Sequence, residues 1–338
     1  MEMIAGPVHR AFPIGDASRI GEARRHACSL ADGMGWDEVD SGRLALVVTE
    51  LASNLLRHAR QGRLLVAAQP AAGEIELVSI DEGPGVANLA QCMGDGFSTG
   101  GTPGTGLGAV KRLSQDFDIH SSVPEGTVAV ARVRKNGAPR PGRGQAIEVA
   151  GLCLPAPGET ACGDAWAACL DGGRAAVTVA DGLGHGPDAA KASQAAMQEF
   201  EDEPFIDLKT GLERAHGALR TTRGAAVCSM RLDAAEAALR GAGAGNVVAR
   251  VISGAHDRSM LTQHGTVGVQ MRRVEEVAAA WPPHALVVIH SDGIETRWTP
   301  RLLLPVLGRD PTLVAAILMR DHCRGRDDAT VVVLRRKE

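Results

Sequence analysis

The chain has 338 residues, of which 44% are hydrophobic and 22% are charged. This length exceeds what one hydrophobic core usually supports and predicts two domains. A net charge of −4, no run of about 18 apolar residues and no secretory signal in MEMIAGPVHRAFPIGD lead us to expect a soluble cytoplasmic protein that binds neither nucleic acid nor membrane.

The first half alternates between helical and extended patterns. Asp37–Ala59 has apolar residues at helical spacing, and RLLVAAQ and EIELVSI then have the pattern of strands. After a glycine-rich segment, LGAVKRLSQ suits a helix, while FDIHSS and TVAVARVR suit two more strands. The predicted architecture is a helix layer on an antiparallel or mixed sheet.

A Pro-, Gly- and Arg-rich segment, KNGAPRPGRGQ at residues 135–145, has the composition of an interdomain linker. We therefore predict one domain over residues 1–134 and a second over 146–338.

The second half predicts an α+β sandwich. Strand-like runs ending in RAAVTVAD precede two helical segments, Asp188–Phe200 and Leu208–Arg220. Five short β-rich pieces follow, AAVCSMRL, AEAALRG, NVVARVI, ALVVIHSD and ATVVVLRR, with a helical segment at Pro311–Cys323 before the last. Helices inserted among many strands are typical of this fold class.

Three strings in the first half form a candidate nucleotide site. Glu50 and Asn54 are four residues apart and share one helical face, although such pairs commonly just point into water. In 81-DEGPG-85, Asp81 at a strand end can accept a hydrogen bond from an exocyclic amine. The glycine-rich stretch 94-GDGFSTGGTPGTGLGAVKRL-113 then runs into a helix whose N–H groups can bind phosphate.

In this order, the strings resemble the GHKL (Bergerat) ATP-binding fold, and within it the RsbT-like, anti-sigma-factor type of serine/threonine kinase, over about Asp16–Val133. The resemblance implies that Asn54 holds Mg²⁺, that Glu50 orients or deprotonates the attacking hydroxyl, and that Asp81 binds adenine. The other implied ATP or ADP contacts are Gly83, Gly85, Gly104, Thr105, Gly106, Leu107, Gly108 and, in the closing strand, Thr127.

The second half contains four short strings with aspartates: 163-GDAW-166, 181-DGLGHG-186, 291-SDGIE-295 and 327-DDATVVVL-334. Aspartates at strand ends can converge on hard cations, which prefer oxygen ligands. Asp-Gly is also a common turn dipeptide, so each string taken singly has a plain structural interpretation.

Together, the acidic strings resemble the metal-dependent (PPM) protein phosphatase superfamily in its SpoIIE and RsbX branch, an α-β-β-α sandwich, over about Ile147–Arg335. The resemblance implies two Mn²⁺ or Mg²⁺ ions, bridged by the catalytic Asp181. The remaining implied ligands are the Gly182 carbonyl, Asp164, Asp292 and Asp327, with Asp328 a less certain neighbour. His185 and His290 flank these aspartates, and the alternative to a functional role is that they contact the ligand side chains or pack in the core.

The seven cysteines form no CxxC pair, and we expect them to be reduced and mostly buried. The two resemblances together imply a regulator of partner switching that phosphorylates and dephosphorylates a STAS-domain protein. One alternative is a nucleotide-responsive module that gates the phosphatase, and another is an anti-sigma factor.

Overall fold

The computed structural model describes residues 1–89, 106–138, 145–260 and 262–337. The chain divides into two compact units, a smaller one of His9–Arg143 and a larger one of Met1–Val8 with Gly144–Glu338. No helix in these described ranges is long and apolar enough to cross a membrane.

The chain begins with strand β1 (Glu2–Ala5), which belongs to the larger unit. The strands of the smaller unit are β2 (Arg10–Pro13), β3 (Arg63–Gln69), β4 (Glu74–Asp81), β5 (Asp116–Ser122) and β6 (Gly126–Arg134). Its helices are α1 (Ala17–Gly33), α2 (Glu38–His58) and α3 (Gly106–Leu113), with 3₁₀ turns at Pro70–Ala72 and Lys135–Gly137.

The five strands of the smaller unit form an antiparallel sheet in the order β2-β3-β4-β6-β5. Helix α2 begins at a cap in which the Asp37 carboxylate accepts a hydrogen bond from Asp40 N at 2.8 Å. Its predicted apolar stripe is buried in the core against the sheet: Leu44, Val47, Val48, Leu51 and Leu55. The predicted helix-on-sheet architecture is confirmed.

The larger unit contains most of the strands. Those strands are β7 (Ile147–Leu154), β8 (Asp164–Asp171), β9 (Arg174–Gly182), β10 (Ala225–Asp233), β11 (Ala238–Ala244), β12 (Val248–Ile252), β13 (Asp257–Met260), β14 (Gly265–Thr266), β15 (Gln270–Met271), β16 (Val277–Ala280), β17 (Leu286–His290) and β18 (Ala329–Arg336). The helices are α4 (Pro187–Asp202), α5 (Leu208–Ala218) and α6 (Pro311–Asp321), with 3₁₀ segments Leu219–Thr221 and Pro300–Val306.

Two sheets stack face to face in the larger unit. One has the order β1-β8-β9-β10-β11-β16 and the other β13-β12-β17-β18-β7. Their facing side chains form one core, which includes Trp166, Val177, Trp281 and Val332. Helices α4 and α5 cover the outer face of the first sheet, and α6 packs on β7 and β18 of the second. The predicted α-β-β-α sandwich is confirmed.

Strand β1 places the domain boundary differently from the sequence prediction. It pairs antiparallel with β8, with Glu2 opposite Leu170 and Ala5 opposite Ala167. The predicted first domain begins at residue 1, whereas in the structure residues 1–8 belong to the larger unit and β1 extends one of its sheets. The physical reason is the backbone ladder to β8, which a local sequence pattern cannot reveal. Residues 139–144 of the predicted linker lie outside the described ranges.

Candidate functional site

The helix side of the candidate nucleotide site lies on α2. Glu50 and Asn54 are one turn apart and half-buried. The residue after each of them, Leu51 and Leu55, is buried and packs the helix into the core. The Asn54 Nδ2 atom is buried and has no hydrogen-bond partner among the described residues. Because a buried amide without a partner is costly, this atom marks a place where a bound group can complete the hydrogen bonding.

The strand side of the same site is the end of β4. The Asp81 Oδ1 atom accepts a hydrogen bond from Gly83 N at 2.7 Å, and Asp81 lies opposite Thr127 in the β4–β6 ladder. The Thr127 and Ser121 hydroxyls are hydrogen-bonded at 2.8 Å, and Ser121 Oγ accepts from Val86 N at 2.8 Å. This network fixes the loop that follows Asp81.

Two glycines let backbone segments approach closely around Asp81. Gly85 has φ of +72°, and a Cβ there would overlap the Ser122 carbonyl oxygen. A Cβ at Gly83 would lie 2.9 Å from the His58 carbonyl oxygen at the end of α2. Glu82 N also donates to the Arg60 carbonyl at 3.0 Å. The end of helix α2 and the glycine-containing loop after β4 are distant in sequence, and they therefore lie next to each other in the folded chain.

The structure describes only part of the predicted phosphate-binding segment. Gly104 and Thr105 lie outside the described residues. Gly106, Leu107 and Gly108 form the first turn of α3, which packs against α2 and buries Val110 in the shared core. The first-turn N–H groups of a helix have no intrahelical partner and can bind an anion.

The candidate metal centre begins with two aspartates on neighbouring strands. Asp164 is the first residue of β8, and Asp181 lies directly opposite it on β9. Asp164 is 2% exposed; its Oδ2 accepts a hydrogen bond from Ser291 Oγ at 2.6 Å, while its Oδ1 is buried without a partner among the described residues. The ladder thus brings together carboxylates that are 17 positions apart in sequence.

Three more aspartates come from strand ends of the second sheet. Asp292 follows β17, and its Oδ2 accepts from Asn246 Nδ2 at 2.6 Å. Asp327 and Asp328 precede β18; Asp328 Oδ1 accepts from Ala156 N at 2.8 Å, and its Oδ2 is buried without a partner in the described ranges. Asp327 Oδ1 accepts from Asp328 N at 2.9 Å.

These carboxylates repel one another. Burial raises the pKa of Asp181, and the charge of Asp164 raises it further, with Asp292, Asp327 and Asp328 adding to the effect. Burial also raises the pKa of Asp164, against the hydrogen bond from Ser291 that lowers it. Crowded carboxylates with raised pKa values are stabilised when a cation or a proton neutralises them.

The donor set fits divalent cations. Mg²⁺ and Mn²⁺ prefer oxygen ligands, and the buried, unpartnered Asp164 Oδ1 and Asp328 Oδ2 are atoms of that kind. As the described side chains stand, no group of three or more His, Cys, Asp or Glu residues is arranged to hold a metal ion. The predicted ligand Gly182 approaches α4 so closely that a Cβ would overlap the Ala189 carbonyl oxygen.

The two histidines flanking the aspartates have other partners. His185 Nδ1 lies 2.8 Å from Glu159 Oε1 in an exposed pair. His290 is buried and accepts a hydrogen bond from Trp298 Nε1 at 3.3 Å, and burial lowers its pKa to about 4. These contacts favour a packing role for His290 and a surface contact with Glu159 for His185.

Sequence reasoning gave no role to Ser291 or Asn246, which hold Asp164 and Asp292. Ser291 stands in the acidic string SDGIE, and Asn246 stands in the glycine-rich string GAGAGNV at 241–247. Neither string indicates that the hydroxyl or the amide would bind a neighbouring carboxylate.

Each half of the chain matches a known protein family. Residues 15–133 match the family described as histidine kinase-like ATPase domain, and residues 171–337 match the family described as stage II sporulation protein E (SpoIIE). The fold and these matches define a two-domain signalling enzyme, in which a homologue of serine/threonine kinases is joined to a SpoIIE-type protein serine/threonine phosphatase domain. Such domains use a nucleotide and divalent metal ions.

The serine/threonine-protein kinase RsbT of Bacillus subtilis (strain 168) is 35% identical over 107 residues, which are 31% of this chain and 80% of RsbT. Through its first domain, the chain belongs to the RsbT family.

Two solved structures extend the comparison. A chain from work on the bacterial stressosome, described as a modular system adapted to control secondary messenger signalling, is 30% identical with a TM-score of 0.51 and covers 56% of this chain and 99% of its own length. RsbX in complex with magnesium is 22% identical with a TM-score of 0.52, covering 56% of this chain and 96% of RsbX. At 22% identity, the RsbX likeness shows the fold alone.

Proposed function

We propose that this chain sets the phosphorylation level of a STAS-domain protein by adding and removing phosphate on a Ser or Thr. The observation that carries the phosphatase half is the crowded set of carboxylates around Asp164 and Asp181, whose charges no protein cation in the described contacts neutralises. The kinase half is supported by the 35% identity to RsbT. Opposing activities in one chain form a reversible switch.

In the proposed phosphatase, Asp164, Asp181, Asp292 and Asp327 and the Gly182 carbonyl hold two Mn²⁺ or Mg²⁺ ions. When bound, the ions supply a nucleophilic water and neutralise phosphoryl charge. Ser291 and Asn246 orient Asp164 and Asp292 through their hydrogen bonds. Asp328 accepts a hydrogen bond from Ala156 N. Its charge raises the pKa values of both Asp164 and Asp181, so it lies near them and is a further candidate ligand.

In the proposed kinase, ATP or ADP is bound with Mg²⁺. Asp81 accepts a hydrogen bond from the adenine amine, and Thr127 supports it from the facing strand. Asn54 binds Mg²⁺, and Glu50, one turn earlier on α2, orients or deprotonates the substrate hydroxyl. Gly83 and Gly85 allow close approach of the backbone, and Gly104, Thr105, Gly106, Leu107 and Gly108 bind the phosphates.

The STAS partner is inferred from the relatives. RsbT is a serine/threonine kinase by name, and the 30% identical chain comes from work on the bacterial stressosome. The alternative of a nucleotide-responsive module that gates the phosphatase predicts ATP binding without transfer. An anti-sigma factor predicts a stable complex with a sigma subunit.

The test of the kinase half uses the full chain carrying Asp181→Asn, so that the phosphatase cannot erase the product. Glu50→Gln in this background should retain ATP affinity and lose transfer by about 10²–10⁴-fold, because the carboxylate touches the hydroxyl and not the nucleotide. Asn54→Ala should lose magnesium-dependent ATP binding as well. Glu38→Gln, an exposed acid on the same helix, is the matched control.

Transfer is measured with radiolabelled ATP and a STAS-domain protein encoded near this gene, and ATP affinity by calorimetry. A parent chain that binds ATP but labels no such protein contradicts the kinase and supports the gating alternative. The phosphatase half is tested on the phosphorylated product with Mn²⁺ or Mg²⁺. Activity that persists in excess chelator or in Asp181→Ala contradicts it.

A further inference from the structure

Two cysteines of the larger unit lie side by side in its core. Cys153 is near the end of β7, and Cys162 stands two residues before Asp164. Their sulfur atoms are 3.3 Å apart, and the residues are 1% and 6% exposed. The other described cysteines include Cys228, which is buried in the same core and belongs to a different pair of strands.

This pair contacts the candidate metal centre directly. Cys153 Sγ donates a hydrogen bond to the Asp164 carbonyl oxygen at 3.6 Å, and Cys162 stands two residues before Asp164 on the same segment. Between Cys162 and Asp164, a Cβ on Gly163 would lie 2.5 Å from Asp328 Oδ2. The packing around Gly163 is tight, so a displacement of Cys162 also displaces Asp164 and Asp328.

The segment that ends near Cys162 is partly exposed. Residues 155–163, which join β7 to β8, contain no helix or strand, and Pro157, Gly158 and Thr160 are exposed. Cys162 is near the end of this segment, so a local opening there exposes its sulfur without unfolding either sheet. The hydrogen bond to Cys153 and burial raise the pKa of the Cys162 thiol, which makes the reaction slower than that of an exposed thiolate.

We infer that Cys153 and Cys162 form a reversible disulfide under peroxide and that this disulfide lowers the phosphatase activity of the chain; the second part rests on the proposed function. Hydrogen peroxide is the oxidant. The Cys162 sulfur attacks one peroxide oxygen to give a sulfenic acid and one water, and the Cys153 sulfur then displaces the hydroxyl as a second water. Two thiols and one H₂O₂ become one disulfide and two H₂O.

The expected effect on the site follows from the geometry. A disulfide has a sulfur–sulfur distance of about 2.05 Å, so the two sulfurs must approach by more than 1 Å. This movement draws Cys162 and the adjoining Gly163 toward β7, and it removes the Cys153 thiol hydrogen that now bonds to the Asp164 carbonyl oxygen. Asp164 then loses its position opposite Asp181, while a dithiol reductant restores the thiols and the position.

The chemical part is tested on the full chain by mass spectrometry. After peroxide treatment and blocking of remaining thiols, a glutamate-specific protease cleaves after Glu159, which lies between the two cysteines. The expected result is a linked pair of peptides containing Cys153 and Cys162, separated by dithiothreitol. If both cysteines are recovered blocked as thiols while exposed sites are oxidised, the inference is overturned, and this readout does not depend on any enzymatic activity.

The functional part is tested by the Mn²⁺-dependent phosphatase rate of the same samples. Peroxide should lower the rate by about tenfold, as expected for disturbed partners of metal ligands, and dithiothreitol should restore it. Cys153→Ala should make the rate insensitive to peroxide, whereas the matched control Cys228→Ala should remain sensitive. Linked peptides with an unchanged rate overturn the regulatory role. A reduced chain without phosphatase activity contradicts the proposed function instead, and leaves the peptide result standing.

Discussion

Ser291 joins the two sheets of the larger unit through one hydroxyl group. Its Oγ donates to Asp164 Oδ2 at 2.6 Å and accepts from Thr330 N at 2.9 Å, and the residue is fully buried. The sequence indicated that the aspartates of this site can converge, because three of the four acidic strings stand next to strand-like runs and the four together resemble one family. It could not predict the partners Ser291 and Asn246, since a serine before Asp-Gly also suits an ordinary turn.

Ser291→Ala should lower the metal-dependent phosphatase rate by about 10–100-fold, because Asp164 loses the group that orients it. It should also reduce the free energy of unfolding by about 1–3 kcal/mol, since Thr330 N is left without its acceptor. Ser229→Ala is the matched control: Ser229 is buried and hydrogen-bonded to Thr178, so its loss affects stability but not the metal requirement. Equal rates for both variants would contradict the orienting role.

Proton binding at the carboxylates predicts how stability depends on pH and metal. Asp164 and Asp181 have raised pKa values, so the folded chain binds protons that the unfolded chain releases at neutral pH. The stability that these protons provide is lost as pH rises. Without metal, the thermal midpoint of the larger unit should therefore fall between pH 6 and pH 8.

Adding Mn²⁺ at about 100 times its dissociation constant should raise that midpoint by about 5–10 °C at pH 8. Asp181→Asn removes one of the crowded charges, so its thermal midpoint without metal should be higher than that of the wild type. Because the variant also lacks a proposed ligand, Mn²⁺ should no longer raise its midpoint. Calorimetry with and without chelator measures both. A wild-type midpoint that rises from pH 6 to pH 8 without metal would be inconsistent with the charge repulsion described.

The two helices that precede β3 show what a sequence pattern can and cannot reveal. Helix α2 was predicted because large apolar residues such as Leu44 and Leu51 form its buried stripe. Helix α1 was not predicted, although it is 17 residues long, because its buried residues are only Ala23, Ala27 and Ala31. Alanine is a strong helix former but gives little contrast in hydrophobicity, so the amphipathic signal is weak.

The loop after β4 should tolerate no side chain at Gly85. Gly85→Ala forces a residue with Cβ to adopt φ of +72° and to overlap the Ser122 carbonyl, so the loop must move away from Asp81. We expect ATP affinity to fall at least about tenfold, as when one buried hydrogen bond is lost. Titration calorimetry of the full chain measures this.

Gly42→Ala is the control for the loop variant. Gly42 lies within α2, and a Cβ there meets no atom within 4 Å. This substitution should stabilise the helix by about 0.5–1 kcal/mol and leave ATP affinity unchanged. An equal loss of affinity in both variants would show that the loop geometry is not responsible.

On the scale of the whole molecule, the smaller unit is an insertion within the larger one. The division at residues 8 and 143 makes the phosphatase unit discontinuous in sequence. The segment EMIA is too short to give a periodic signal, and its partner β8 lies about 160 positions away. Only the folded backbone reveals the pairing, which is why the sequence assigned the first residues to the wrong unit.

Gly6 is the residue by which this pairing can be tested. Gly6 N donates to the Trp166 carbonyl at 2.8 Å, and a Cβ on Gly6 would overlap the Trp166 indole ring. Gly6→Ala should therefore destabilise the larger unit by about 1–3 kcal/mol and lower its metal-dependent activity at elevated temperature. Gly15→Ala, where a Cβ meets nothing within 4 Å, should be neutral. Differential scanning calorimetry distinguishes the two.

The separation of β1 from β8 has a consequence for biosynthesis. A ribosome adds about 5–20 residues per second, so β8 emerges roughly 10–30 s after β1. The inserted smaller unit, whose described strands pair with one another, can fold during that delay, whereas β1 still lacks its partner β8 and presents an unpaired edge. Nascent chains stalled before Asp164 should thus expose residues 2–5 to protease, and the phosphatase unit can complete its sheet only after the whole kinase domain has been synthesised.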